Sequence, residues 1–88
     1  MNESLTFSRE AWDDYQYWQK QDKKTMRRIN QLLLDVQRNG HSGIGKPEPL
    51  KGDKAGYWSR RINECDRLVY RITDSTIEIR SCKTHYDD

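Results

Sequence analysis

The stretch RLVYRITDSTIEIRSC, residues 67–82, reads as two β-strands joined by a two-residue turn. Leu68 and Tyr70 alternate with Val69 and Arg71, and Ile77 and Ile79 alternate with Glu78 and Arg80. Successive side chains on a strand point to opposite faces, so this pattern makes one apolar face and one polar face. The turn is Asp74-Ser75, and so short a link requires antiparallel pairing. A third strand-like run, Tyr57 to Ile62, precedes this pair and extends the sheet. The apolar face must be covered by something else in the chain.

The cover is found upstream. Leu5-Thr6-Phe7 is short, alternating and β-prone, and Ser8 follows it as an N-cap with Glu10, Asp13 and Asp14 early in the helix it opens. Ala11, Trp12, Tyr15 and Trp18 recur at spacings of three and four, which puts them on one face of that helix. Asp22 caps a second helix in which Met26, Ile29, Leu32, Leu33 and Val36 form the apolar stripe, and Asn39-Gly40 is its stop signal. Its other face carries Lys23, Lys24, Arg27, Arg28 and Arg38. From His41 to Pro49 the Gly, Pro and Ser content predicts a loop. The expected fold is α+β: an N-terminal strand and a two-helix hairpin packed on a twisted antiparallel sheet, in one domain over residues 1–88.

Hydrophobic residues are 33% of the 88 and charged residues 34%, so the core is small and much of the surface is strongly solvated. The net charge of +2 conceals a basic stretch, because Lys46, Lys51, Lys54, Arg60 and Arg61 face only Glu48 and Asp53 between residues 46 and 61. That stretch attracts anions. Cys65 and Cys82 have no framework spacing and no secretory signal precedes them, which points to reduced thiols and a cytoplasmic location. No apolar run reaches membrane-spanning length, so no membrane association is expected.

His41, His85, Cys65 and Cys82 are metal-ligand types, but they form no ligand motif, and no metal site is expected. Gly43 and Gly45 lie in a turn before Pro47 rather than before a helix, so no phosphate-cradling loop and no cofactor are expected. There is no strand–Ser–helix elbow of a hydrolase either. What remains is a carboxylate, several arginines and a histidine, a set sufficient to cut RNA when the substrate's 2′-hydroxyl is the nucleophile. Glu48, held between Pro47 and Pro49, is the candidate base. His85, with an ordinary pKa of about 6.5, is the candidate acid, and Tyr86 beside it can stack on a base or orient the phosphate. Arg61 and Arg67 supply fixed cations for the phosphate, with Arg60, Lys46 and Lys51 as a second ring. Each has an ordinary alternative: Glu48 paired with Lys46 or Lys51, the arginines bridged to Glu64, Asp66 or Glu78, and His85-Tyr86 as an exposed tail.

Several blocks together resemble the YoeB (Txe) toxins of the RelE superfamily over nearly the whole chain. They are Trp12-Asp13-Asp14-Tyr15 with Tyr17-Trp18-Gln19, Gly45-Lys46-Pro47-Glu48-Pro49-Leu50-Lys51, Gly56-Tyr57-Trp58-Ser59-Arg60-Arg61-Ile62, Arg67-Leu68-Val69-Tyr70 and Cys82-x-x-His85-Tyr86. The resemblance implies a RelE-like, microbial-ribonuclease-like fold and a ribosome-dependent endoribonuclease that cuts messenger RNA in the decoding site. It implies Glu48 as general base, Arg67 as phosphate stabiliser, His85 as general acid, Tyr86 as its positioning neighbour, and Lys51, Arg61 and Lys46 as auxiliary contacts. It further implies a YefM-type antitoxin covering the active face, homodimerisation in some members, and contacts from the basic helices to ribosomal RNA. Asp87 and Asp88 extend past the family's His-Tyr end, where two carboxylates are expected to favour a protonated His85 and to repel RNA, the alternative being a solvated tail with no part in activity. The rival readings are a non-catalytic module that blocks translation or transcription by occupying RNA or DNA, and a protein-interaction domain whose open sheet accepts a partner strand.

Overall fold

The computed structural model describes residues 4–83. In chain order the elements are β1 (Ser4–Phe7), α1 (Arg9–Gln21), α2 (Lys23–Asn39), β2 (Glu48–Pro49), β3 (Trp58–Arg61), β4 (Arg67–Thr73) and β5 (Thr76–Ser81), with a short 3-10 turn at Gly52–Lys54. Ser8 caps α1 by accepting from the Ala11 backbone N–H at 3.0 Å, and its hydroxyl donates to the Arg80 carbonyl at 2.8 Å, which ties the helix start to β5. Asp22 serves both helices. Its N–H donates to the Trp18 carbonyl at the end of α1, and its carboxylate accepts from the Thr25 N–H and hydroxyl at the start of α2. One extended residue therefore makes the corner of the helix hairpin. At the far end Gly40 adopts φ 65°, a left-handed conformation that costs glycine little, and its N–H closes on Val36.

The sheet order is β1-β5-β4-β3-β2. β2, β3, β4 and β5 pair antiparallel, as the short links require, but β1 pairs parallel with β5, so the sheet is mixed rather than antiparallel throughout. The short-link rule governs only strands adjacent in sequence. β1 reaches β5 after both helices and the rest of the sheet, and the register sets Leu5 against Ile77 and Phe7 against Ile79, apolar beside apolar. β2 lies within the stretch expected to be loop. It is only two residues long and sits at the sheet edge, where a proline such as Pro49 is tolerated because its missing N–H can face away from the ladder.

The core lies between the helices and one sheet face, with Ala11, Ile29, Leu32 and Val36 meeting Leu68, Tyr70, Ile77 and Ile79. Trp12, assigned by periodicity to the buried face of α1, is instead 48% exposed. Because α1 packs over the β1–β5 edge, Trp12 overhangs that edge, packing edge-on against Phe7 and stacking on Tyr15. No helix among the described residues is long and apolar enough to cross a membrane.

Candidate functional site

The sheet face turned away from the helices is organised in rows by the strand register. Arg61 on β3 lies opposite Arg67 on β4. The next row runs from Glu48 on β2 through Ser59 and Val69 to Ser81 on β5. Strand alternation puts these residues on the side opposite Leu68, Tyr70 and Arg60. Ser59, Val69 and Ser81 are buried, whereas Glu48 and Arg61 at the flanks are exposed. Glu48 has no hydrogen-bond or ion-pair partner among the described residues, and the pairing with Lys46 or Lys51 is not made. Lys46 and Lys51 are exposed on either side of the Pro47-Glu48-Pro49 segment, and Lys46 holds a left-handed φ of 51°.

Arg67 is half-buried and bends over the turn beside it, where Nη1 donates to the carbonyls of Asn63 and Asp66 at 3.2 and 3.3 Å. Its Nε and Nη2 have no partner among the described residues. Glu78, one of the acids that could have neutralised this region, is held instead by Arg71. Arg28 reaches from α2 to donate to the Arg61 carbonyl, and Arg28, Arg61, Asn63, Glu64 and Arg67 line a groove of about 450 Å³. The structure thus brings Glu48, Arg61 and Arg67 to one face and adds Arg28, which the sequence marked only as part of a basic helix surface.

Arg60 does not belong to this group, and its assignment as a phosphate contact is corrected. It is fully buried on the opposite side of β3. All five guanidinium N–H groups have acceptors: Nε donates to the Tyr70 hydroxyl at 3.2 Å, Nη1 to Asp35 Oδ2 at 2.5 Å and the Ile44 carbonyl at 3.1 Å, and Nη2 to the carbonyls of Gly40 and Ser42 at 2.8 and 2.7 Å. No donor is left for a phosphate. The signal was present in the sequence, because Trp58, Arg60 and Ile62 alternate and so share the core-facing side. Gly43 and Gly45 let the loop close around this cation, since a Cβ at Gly43 would overlap Asp35 Oδ2 and one at Gly45 would press on Leu32. His41, set aside as a metal ligand, stacks on Trp58 with ring centroids 4.0 Å apart; burial, and then the Arg60 charge, lower its pKa and favour the neutral ring.

His85 and Tyr86, with Asp87 and Asp88, lie outside the described residues. The chain leading to them is held firmly. The Cys82 N–H donates to Asp14 Oδ2 at 3.0 Å, its carbonyl accepts from Trp18 Nε1 at 2.8 Å, and the Lys83 ammonium sits 4.1 Å from the centre of the Tyr17 ring. The buried Cys82 thiol, which donates to the Ala11 carbonyl, is pushed up to about 12 by burial and is an inert packing group. Asp14 and Trp18 were read from the sequence only as helix-dipole charge and core; nothing in α1 by itself indicates that they hold the far end of the chain.

A family model described as the YoeB-like toxin of the bacterial type II toxin-antitoxin system matches residues 7–86. The toxin YoeB of Escherichia coli strain K12 is 51% identical over 82 residues, which is 93% of this chain and 98% of that protein. Among solved structures, a YoeB dimer from Staphylococcus aureus is 52% identical and superposes with a TM-score of 0.91, covering 98% of this chain and 100% of that one. A YoeB-YefM complex from the same organism gives 50% identity and a TM-score of 0.89 with the same coverage. A matching model over nearly the whole chain, close identity and a shared fold agree with the sequence blocks: the chain belongs to the YoeB-like toxins of bacterial type II toxin-antitoxin systems.

Proposed function

We propose that this toxin is a ribosome-dependent endoribonuclease that cuts messenger RNA in the ribosomal A site by acid–base attack of the 2′-hydroxyl, without a metal in the chemical step, and so stops translation. The observation that carries the reading is an exposed carboxylate, Glu48, without a partner among the described residues and one row from the Arg61–Arg67 pair on the same sheet face. Glu48 and Arg67 are two strands apart, roughly 10 Å, and one row along, roughly 7 Å, a gap that two long side chains can close around a bound phosphodiester. In this scheme Glu48 removes the 2′-hydroxyl proton, Arg67 and Arg61 neutralise the phosphorane, and His85 protonates the departing 5′-oxygen while Tyr86 positions it. Lys46 and Lys51 bind the flanking backbone. The products are a 2′,3′-cyclic phosphate or its 3′-phosphate and a free 5′-hydroxyl.

Support for His85 comes from chain direction. β5 runs antiparallel to β4 and passes Val69 at Ser81 heading toward the Arg67 end, with His85 four residues on. Membership of a toxin-antitoxin family supports a YefM-type antitoxin as partner, as in the staphylococcal complex, and the staphylococcal dimer supports self-association. The exposed Lys23, Lys24, Arg27 and Arg38 of α2 suit ribosomal RNA, and the place of action is the cytoplasm.

A message with a single 2′-deoxyribose at the cut nucleotide tests the scheme on programmed ribosomes. Cleavage there is expected to fall at least about a hundredfold, because the internal nucleophile is absent, while toxin binding persists. Cutting at the normal rate would mean that water or another nucleophile is used.

A further inference from the structure

We propose that Tyr57, Arg71 and Arg80 form a second nucleotide subsite, which binds the RNA phosphate and base adjoining the one that is cut; the inference rests on the nuclease reading and deepens it. The register supplies the first argument. Tyr57 immediately precedes β3 and falls opposite Arg71, which pairs with Glu78 on β5. This row lies on the open face, about 7 Å beyond the Glu48 row and on the side away from Arg61 and Arg67. A strand of RNA that presents its scissile phosphate to Glu48 and Arg67 therefore continues over Tyr57.

The second argument is how Arg80 comes to be there. The β4–β5 ladder shifts between Val69 and Tyr70, so that Val69 faces Ser81, Tyr70 faces Ile79, and Arg80 is the residue left over. Such a bulge re-aims a side chain. Here it accompanies an exposed guanidinium lying 5.5 Å from the centre of the Tyr57 ring, with the Arg71 guanidinium at 4.8 Å from the same ring.

Charge supplies the third. Arg71 gives two hydrogen bonds to Glu78 Oε1, at 3.1 and 2.6 Å, so that pair is internally neutral and serves to hold the ring and its neighbour in place. Arg80 has no carboxylate partner among the described residues. A recess of about 170 Å³ opens beside it, lined by Tyr57, Glu78, Arg80 and the end of β1. An exposed, flat guanidinium lying over an aromatic ring, with no carboxylate partner among the described residues, offers a plane on which a base can stack and donors for a phosphate, which matches the alternation of base and phosphate in single-stranded RNA.

Binding of short labelled RNAs carrying 2′-deoxyribose at the cut position provides the test, read by fluorescence anisotropy on the whole protein. A dinucleotide spanning the cut is compared with trinucleotides extended on the 5′ or the 3′ side. One of the two extensions is expected to tighten binding about tenfold, the worth of one charge-assisted contact. Arg80→Gln and Tyr57→Leu should each bring that ratio back toward one, and Arg80→Gln should lower the log–log salt slope of trinucleotide binding by about 0.7. A purely structural role would weaken both lengths equally and keep the ratio; that result, or no gain from either extension, overturns the subsite. So does an Arg80→Gln variant that keeps the ratio and loses affinity for the antitoxin, which would mark the patch as a protein contact. Failure of the underlying nuclease reading shows separately, as dinucleotide binding that is indifferent to Arg67→Ala.

Discussion

Asp35, Gly40, Ser42, Ile44 and Tyr70 all accept from the Arg60 guanidinium, so the loop after α2 is closed around one buried cation. Lysine offers three donors from a point charge and cannot satisfy five acceptors in this fork geometry. Arg60→Lys is expected to cost about 3 kcal/mol, a fall in Tm of roughly 15 °C, with the RNA salt slope of the folded fraction unchanged. Burial pulls the Asp35 carboxyl upward, but hydrogen bonds from Arg60, the Ile44 N–H and Asn39 outweigh it and hold the pKa below the usual value. A carboxyl with a lower pKa in the folded state contributes stability above its unfolded value of about 3.9, and loses it as pH falls through the folded value. Below about pH 4 the wild type should therefore lose stability more steeply than Arg60→Lys, as urea titrations across pH would reveal. Glu48 is the opposite kind of residue. Exposed and without a partner among the described residues, it should become glutamine without a measurable change in Tm, and Glu48→Gln should slow cleavage by about a hundredfold or more.

Helix α1 acts as an anchor at both ends. Ser8 joins it to β5 through the Arg80 carbonyl, and Asp14 and Trp18 grip Cys82 just before the chain leaves the described residues. Ser8→Ala should cost about 1 kcal/mol by thermal melting, from loss of the cap. Burial raises the Asp14 pKa more than the Cys82 N–H lowers it. The stability linked to this raised value is present at low pH and lost as pH rises through the folded pKa. Asp14→Asn keeps an acceptor and removes the half-buried charge, so near neutral pH it should equal or exceed the wild type in Tm and match it in cleavage. Asp14→Ala leaves the Cys82 N–H without its partner and should lose about 1 kcal/mol together with a larger share of kcat than of ribosome affinity. Equal activity in the two variants would show that the grip does nothing for the terminal His85.

Across the whole molecule, the helices cover one sheet face and the charged rows occupy the other, where Glu48, Arg61 and Arg80 stand exposed around a buried centre of Ser59, Val69 and Ser81. An open face neither excludes water nor forces a flexible strand into line for attack, and those are the contributions a ribosome can make by holding the codon. Free RNA of the same sequence should accordingly be cut at least about a hundredfold more slowly than the ribosome-bound message. Equal rates in a time course with and without ribosomes would remove the ribosome from the mechanism. The same openness suits the face to cover by an antitoxin, and added YefM-type antitoxin should abolish cleavage near equimolar ratio.

The amino-acid pattern alone determined the elements: caps at Ser8 and Asp22, the stop at Gly40, the stripe from Met26 to Val36, and the strands on either side of Asp74-Ser75. These are local properties, set by hydrogen bonds and side-chain periods within a few residues. It also gave Glu48, Arg61 and Arg67 as candidates by residue type. Only the tertiary structure decided that β1 returns parallel to β5, that the inward-facing Arg60 meets Asp35, that Cys82 is held by α1, and that Arg80, beside a shift in the β4–β5 register, lies over Tyr57. Each of these joins residues distant in sequence, and no local period carries that information. Strand alternation fixes which side a residue takes, whereas the register between strands, settled by packing of the whole core, fixes what it meets there.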